Sequence, residues 1–211
     1  MTTAISACTP DHSTPRNIDE ADRRTASLAI WVRQPWMVRV GREDLLIRGT
    51  TPRDLTALAL MHKRCTARTL LDRYHAGGLA PSAVAMERSL RRTLAFVACN
   101  ARSEIVAMAV ASPDTKHPLG SAEIGLLVED RMQHKGLGRE LLTHLAGGAY
   151  VCGYTQFIAY TATDEPATHR LLTSVGRTYA VPENRTTTHL HTYLPESAAL
   201  GLGAVREHLA S

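Results

Sequence analysis

The run Val128-Glu129-Asp130-Arg131-Met132-Gln133-His134-Lys135-Gly136-Leu137-Gly138-Arg139 constrains this chain more than any other. An apolar, β-rich segment, Ser121 to Val128, leads into it. A helical pattern from Gly138 to Cys152 follows, with Leu137, Leu141, Leu142, Leu145 and Ala149 at helical intervals. Gln156 to Thr161 then has the character of another strand, so a β–loop–α–β unit surrounds two glycines placed two apart. Glycines at the mouth of a helix let main-chain amides close around a negatively charged group. The first helical turn adds unpaired N–H groups and a partial positive charge. The plainer reading is a strand-to-helix turn that happens to contain glycine. Two rival phosphate loops fail: there is no G-x-x-x-x-G-K-[ST], and Gly136-Leu137-Gly138-Arg139-Glu140-Leu141 lacks the third glycine of a dinucleotide fingerprint.

The rest of the chain organises around this unit. Residues 1–26 are rich in Thr, Ser, Asp, Arg and Pro and are expected to form a flexible leader. Residues 27–44 hold both tryptophans and are too apolar for a free tail; they are expected to pack on the domain or on a second copy of the chain. Pro35 argues against one continuous central strand there. The domain is expected over 45–195, with 196–211 as a tail. Leu45 to Arg48 is a short strand. Thr51 caps a helix with Pro52 in its first turn and Asp54 favouring the dipole, running to His62. Thr66 caps a second, Ala67 to His75, stopped by Gly77-Gly78. Ala80 to Arg91 is a third helical piece. Thr93 to Cys99 and Glu104 to Ala111 form a hairpin, and Ser112 to Gly120 is a loop. Pro166 to Val175 is a helix, followed by a final strand pair at Tyr179 and at Thr188 to Leu194. The order β α α β β β α β α β β predicts an α/β (α+β mixed) domain, a mixed sheet with helices on both faces.

Composition narrows the function classes. The chain has 211 residues, 44% hydrophobic and 21% charged, ordinary for a globular domain with a sizeable core. The net charge of +4 is spread along the chain, which suits a small anionic ligand better than nucleic acid. No stretch approaches the length and apolarity of a membrane span, and the N-terminus lacks a secretory pattern. The four cysteines occur singly, without metal-ligand spacing, and are expected as buried thiols in a reducing cytoplasm.

The spacing Gln-x-x-Gly-x-Gly, five residues after a strand-ending valine, resembles the acyl-CoA pyrophosphate loop of the GCN5-related N-acetyltransferases (GNAT). The resemblance covers roughly residues 45–194 and centres on 121–145. The segments Ile47-Arg48 through Asp54, Met61-His62 through Tyr74-His75, and Ala122-Glu123-Ile124-Gly125 look like those of bacterial protein lysine acetyltransferases. The resemblance implies a mostly antiparallel central sheet splayed between its fourth and fifth strands. It implies acetyl-CoA, or another short acyl-CoA, as co-substrate. Gln133, His134, Lys135, Gly136, Leu137, Gly138 and Arg139 would hold the pyrophosphate, and the backbone of Leu127 and Val128 the pantetheine arm.

The acceptor would be a primary amine, a protein lysine first among the candidates, attacking the thioester directly in a ternary complex. Glu123 stands where that subgroup carries its base. Strand alternation puts Glu123 and Gly125 on one face, and apolar neighbours would raise the carboxylate's proton affinity. The alternative is a surface glutamate. Glu129 and Asp130 are expected as loop charges that attract a cationic acceptor. Many relatives use a tyrosine acid at the position of Leu172 and an asparagine at that of Glu165; both are absent here, as the tyrosine is from the lysine-acetylating subgroup. Tyr74 and His75, and His189 and His191 on one face of the last strand, are candidates for contacting the acceptor. The His189/His191 pair lacks an evident third ligand, so no metal is expected. Two rival functions stay open: acylation of a small amine such as an antibiotic or metabolite, and a non-catalytic acyl-CoA sensor. No membrane partner is expected, and association into a homodimer through 27–44 is a further reading.

Overall fold

A strand apolar at every position must be covered on both faces. The strand β3 (Leu94–Cys99) is buried throughout. Leu94, Phe96 and Ala98 join one cluster of buried side chains, and Ala95, Val97 and Cys99 join a second on the opposite face. The computed structural model describes residues 34–74, 81–117, 120–163 and 165–198. Around β3 lie β1 (Trp36–Val40), β2 (Glu43–Gly49), β4 (Ile105–Pro113), β5 (Ser121–Val128), β6 (Gln156–Ala162), β7 (Arg177–Pro182) and β8 (Thr187–Tyr193). They form one sheet in the order β1-β2-β3-β4-β5-β6-β8-β7. Every neighbouring pair is antiparallel except β5 and β6.

Among the described residues, five helices cover the sheet: α1 (Leu55–Arg64), α2 (Ala67–Tyr74), α3 (Ala83–Leu90), α4 (Leu137–Val151) and α5 (Pro166–Thr173). The stripe read from the sequence, Leu137, Leu141, Leu142, Leu145 and Ala149, is buried against one face. Leu58 and Met61 of α1 and Met86 of α3 meet Val97, Met108, Val110 and Leu127 on the other. The mixed sheet with helices on both faces is therefore the architecture observed.

Several boundaries differ from expectation, each for a local reason. The first helix opens as a 3-10 turn, Pro52–Asp54. Asp54 accepts the Thr51 amide at 2.7 Å and a two-pronged pair of bonds from Arg48 at 2.8 and 2.7 Å, so it ties the helix start to the end of β2. Burial alone would push the Asp54 carboxyl up; the bonds from Arg48 and Thr51 prevail and hold it below its ordinary range. α3 starts later than Ala80, at a Ser82 side chain that accepts the Ala85 amide at 3.2 Å. β4 runs on to Pro113, which pairs at the strand end with Ala122. α5 stops at Thr173, short of Val175.

The tryptophan segment joins the sheet. β1 is its edge strand, starting just after Pro35, and Trp36 sets its ring 5.1 Å from that of His144 on α4. Residues 1–33, and 199–211 of the tail, lie outside the described residues. Cys65, Cys99 and Cys152 are buried and form no disulfide among the described residues, and Cys8 lies outside them. No helix among the described residues is long and apolar enough to cross a membrane.

α4 lies close on β3 because it carries Gly148 at the crossing. A Cβ there would stand 3.1 Å from Leu94 Cδ2 and 3.2 Å from Phe96 Cε2. Gly148→Val should therefore overpack the core and cost about 1–3 kcal/mol, read as a lowered urea midpoint. An unchanged midpoint would show that the helix does not sit this close.

Candidate active site

β5 and β6 run side by side for only three residues: Ser121, Ala122 and Glu123 pair with Gln156, Phe157 and Ile158. Beyond that point β5 stays on β4 as far as Val128, and β6 stays on β8 as far as Ala162. The two strands part, and the edge of 124–128 facing the gap presents main-chain N–H and C=O groups with no strand beside them among the described residues. Such an edge suits an extended ligand that bonds like an added strand.

The helix start sits at the wide end of this gap. A 3-10 turn, Asp130–Met132, turns the chain away from β5. His134 then takes φ +59° and Gly136 φ +95°, the left-handed conformation that favours glycine. The space a Gly136 side chain would enter is empty, so its backbone angle rather than crowding calls for glycine. Gly138 has the opposite reason: a Cβ there would stand 3.3 Å from Leu126 Cδ2, so α4 seats its first turn directly on β5. The amides of Arg139 and Glu140 are the first to bond back, both to the Gly136 carbonyl. The N–H groups ahead of them point out of the helix start.

The loop residues divide by what their side chains do. Leu127 and Leu137 are buried in the core, leaving only their backbones for a ligand. Gln133 turns its amide back to Val128 O at 3.0 Å and Thr69 Oγ1 at 3.2 Å, bracing the loop against β5 and α2. Its side chain therefore shapes the loop. His134, Lys135 and Arg139 are exposed at the loop surface, and Lys135 Nζ lies 3.9 Å from Glu43.

Glu129 and Asp130 overturn their expected role as free loop charges. Glu129 is 1% exposed; it pairs with Arg64 and bonds Arg131 at 2.9 Å. Asp130 accepts the Thr66 amide at 2.9 Å and the hydroxyls of Thr66 and Thr69 at 2.7 and 2.8 Å, capping α2. Both carboxylates hold α1 and α2 against the end of β5.

Glu123 is exposed, so the apolar enclosure expected around it is absent. It lines a groove of about 510 Å³ with Lys116, Tyr160 and Thr187. Gly125, next on the same face, lies beneath the guanidinium of Arg73, which occupies the place a Cβ would take. Nε of Arg73 is covered and has no hydrogen-bond partner among the described residues. Burial lowers the proton affinity of this guanidinium, against the favourable fields of Tyr74 and Glu123. Arg73, Tyr160 and Lys116 were not picked out from the sequence. The glycine inside an otherwise apolar strand was the available signal for Arg73, since it marks a close approach.

Tyr74 is committed elsewhere. Its hydroxyl lies 2.6 Å from His62 Nε2, while His62 Nδ1 donates to the Leu58 carbonyl at 2.7 Å. His75 lies outside the described residues. His189 and His191 share a face of β8 with Tyr160 of β6 in register, and the fold brings a third imidazole, His117, against them. Leu172 is buried in the core, so the position at which the resemblance would put a tyrosine holds no hydroxyl. Glu165 caps α5 by accepting the Ala167 amide at 3.1 Å.

The profile of the acetyltransferase (GNAT) family matches residues 66–176. No curated protein matches the chain. Among solved structures, the GNAT domain of S. lividans PAT is similar with a TM-score of 0.65 at 18% identity, over 79% of this chain and 98% of that one. A phosphinothricin acetyltransferase from Sinorhizobium meliloti, solved with AcCoA, gives 0.59 at 20%, over 71% and 88%. The protein yncA from Salmonella typhimurium, solved with acetyl-CoA as its cofactor, gives 0.57 at 20%, over 72% and 95%.

The buried Glu129 should be felt in stability. Arg64→Met leaves it with Arg131 alone and should cost about 2 kcal/mol, less than a fully buried pair because Arg64 is 35% exposed. A denaturant titration checks this. A loss below a few tenths would return Glu129 to the role of a solvated loop charge.

Proposed function

The chain belongs to the GNAT acetyltransferase family, and on that premise we propose that it moves an acetyl group from acetyl-CoA to a primary amine, most specifically a protein lysine. The observation that carries the reading is the parting of β5 and β6 with a left-handed glycine at the helix mouth. The amides of 134–138 face where a diphosphate would lie, those of Gln133 and Arg139 being bonded to the Asp130 and Gly136 carbonyls, and the side chains of Lys135 and Arg139 add charge at that surface. The unpaired edge of β5, around Leu127 and Val128, suits the amide groups of a pantetheine arm. Neighbours of the same fold solved with acetyl-CoA support the choice of co-substrate.

Glu123 receives the proton. An alkyl ammonium must lose one before it can attack, and this carboxylate stands on the groove wall beside the strand gap. It takes the proton directly or through a water. The amine nitrogen then bonds to the thioester carbonyl carbon, and a backbone N–H at Val128 or its neighbour stabilises the oxyanion. The C–S bond breaks, the electron pair leaves on sulfur, and the nitrogen gives up its second proton to water, from which the departing thiolate can take one. A thiolate is a fairly stable anion, with a thiol pKa near ~8.5, so the route needs no hydroxyl at Leu172. Transfer is direct. Cys65 is a poor acyl carrier, because burial and then the carboxylates of Asp130 and Glu129 push its thiol up to about 11.

The exposure of Glu123 in an open groove supports an acceptor carried on a protein surface. One feature favours a second reading: the covered guanidinium of Arg73 beside Gly125 could hold the carboxylate of a small amino acid. Assaying a lysine peptide against free amino acids separates the two.

Glu123→Gln should leave coenzyme A affinity unchanged and lower turnover about a hundredfold to ten-thousandfold. Unchanged turnover removes Glu123 from the chemistry. Gly136→Val, forced to φ +95°, should leave the fold intact and weaken coenzyme A about tenfold or more in titration calorimetry. Equal affinity would place the diphosphate elsewhere.

A further inference from the structure

The fold gathers three histidines from two distant segments. His189 and His191 lie two apart on β8, an interior strand between β6 and β7. His117 comes from the β4–β5 connection. One ring nitrogen from each lies within 4.8 Å of the other two. The His117 ring centre is 5.0 Å from that of His191 and 5.9 Å from that of His189. Zinc–imidazole bonds are about 2.0–2.1 Å, which puts ligand nitrogens of a tetrahedral site about 3.4 Å apart. Small side-chain rotations close the difference.

Each ring also has a polar partner of the kind that orients metal ligands. Asp114 Oδ2 lies 2.8 Å from His117 Nδ1, and the same carboxylate accepts the Lys116 amide at 2.7 Å through Oδ1. Glu183 Oε2 lies 3.1 Å from His189 Nε2 without forming a hydrogen bond to it. The side-chain amide of Gln156 lies 3.3 Å from His191 Nδ1, and its other end takes the Ser121 hydroxyl at 2.9 Å. A hydroxyl serves as donor or acceptor, so that amide can turn its oxygen to His191 and accept an N–H there. Every ring thus has one nitrogen near an outer partner and another to offer inward.

We propose that His117, His189 and His191 bind a divalent transition cation of the zinc class, with a fourth position left to water or a groove ligand. Three imidazoles without a carboxylate in the inner set favour zinc over magnesium or calcium. The cation would stitch the Asp114–His117 segment to β8. That segment carries Lys116, which lies over the Tyr160 ring at 5.5 Å on the groove wall, while Tyr160 meets His189 edge-on at 4.5 Å. The site is separate from the helix mouth and does not depend on acetyl transfer.

The test uses the full chain without a histidine tag, stripped by chelator and titrated with Co²⁺ and Zn²⁺. One equivalent of Co²⁺ should give the visible absorption of a tetrahedral nitrogen site, displaced by Zn²⁺ and not by Mg²⁺. His117→Ala, His189→Ala and His191→Ala should each weaken Zn²⁺ at least a hundredfold, and Asp114→Asn about ten- to a hundredfold. His169→Ala, on α5, should change nothing. Thermal melts of the chelated forms show which variants fold, and His→Gln replaces any that do not. A wild type that binds Zn²⁺ no more tightly than the triple alanine variant overturns the proposal. So does an equal loss on His169→Ala.

Discussion

The divergence of two parallel strands after three paired residues is the constraint on which the rest depends. While Ser121 to Glu123 lie against Gln156 to Ile158, β5 is an ordinary interior strand. Past that point β5 keeps β4 on one edge, while the main-chain groups on its other edge have no strand beside them among the described residues, an arrangement that folded proteins tolerate only where something else supplies the bonds. α4 enters at the wide end, held down by Gly138 on Leu126 and swung into place by the left-handed Gly136. Open strand edge and helix mouth are therefore one construction: the first offers groups that bond an extended chain, the second a partial positive charge.

The surrounding charges secure this wedge. Glu129 and Asp130, directly after β5, draw in Arg64, Thr66 and Thr69 and so dock α1 and α2 over the strand. That docking carries Arg73 across Gly125, beside Glu123. The Glu123 face of the groove is thus positioned by two carboxylates that are themselves committed to an ion pair and a helix cap. On the far side, β8 extends the same face with its histidines, while Tyr160 links the two regions from β6.

Much of this was legible in the sequence because local pattern fixes it. The period of Leu137, Leu141, Leu142 and Leu145 fixes a helix with one buried side, and the wholly apolar run of β3 fixes a strand covered twice. Gly136 and Gly138 mark the helix mouth, although only the structure separates their reasons, backbone angle for one and close packing for the other. What stayed hidden depends on contacts far apart in the chain. The sequence next to Glu129 resembles any charged loop; its partner Arg64 arrives from another helix. Glu123 follows the expected alternation yet stands in the open, since its solvent exposure depends on what α2 and the β4–β5 connection leave uncovered. His117 has no spacing relation to His189 and His191, and only the sheet order brings them together. The edge strand β1 was obscured by Pro35, which ends just outside it.

The central claim is that main-chain nitrogens at the head of α4 hold a diphosphate. Amide-resolved NMR of the labelled chain during a coenzyme A titration addresses it most directly. The account predicts the largest shifts at the amides of 133–139 and along 124–128, and no comparable change when pantetheine without the diphosphate is used on the first group. Shifts of the coenzyme A titration that spare 133–139 would contradict it.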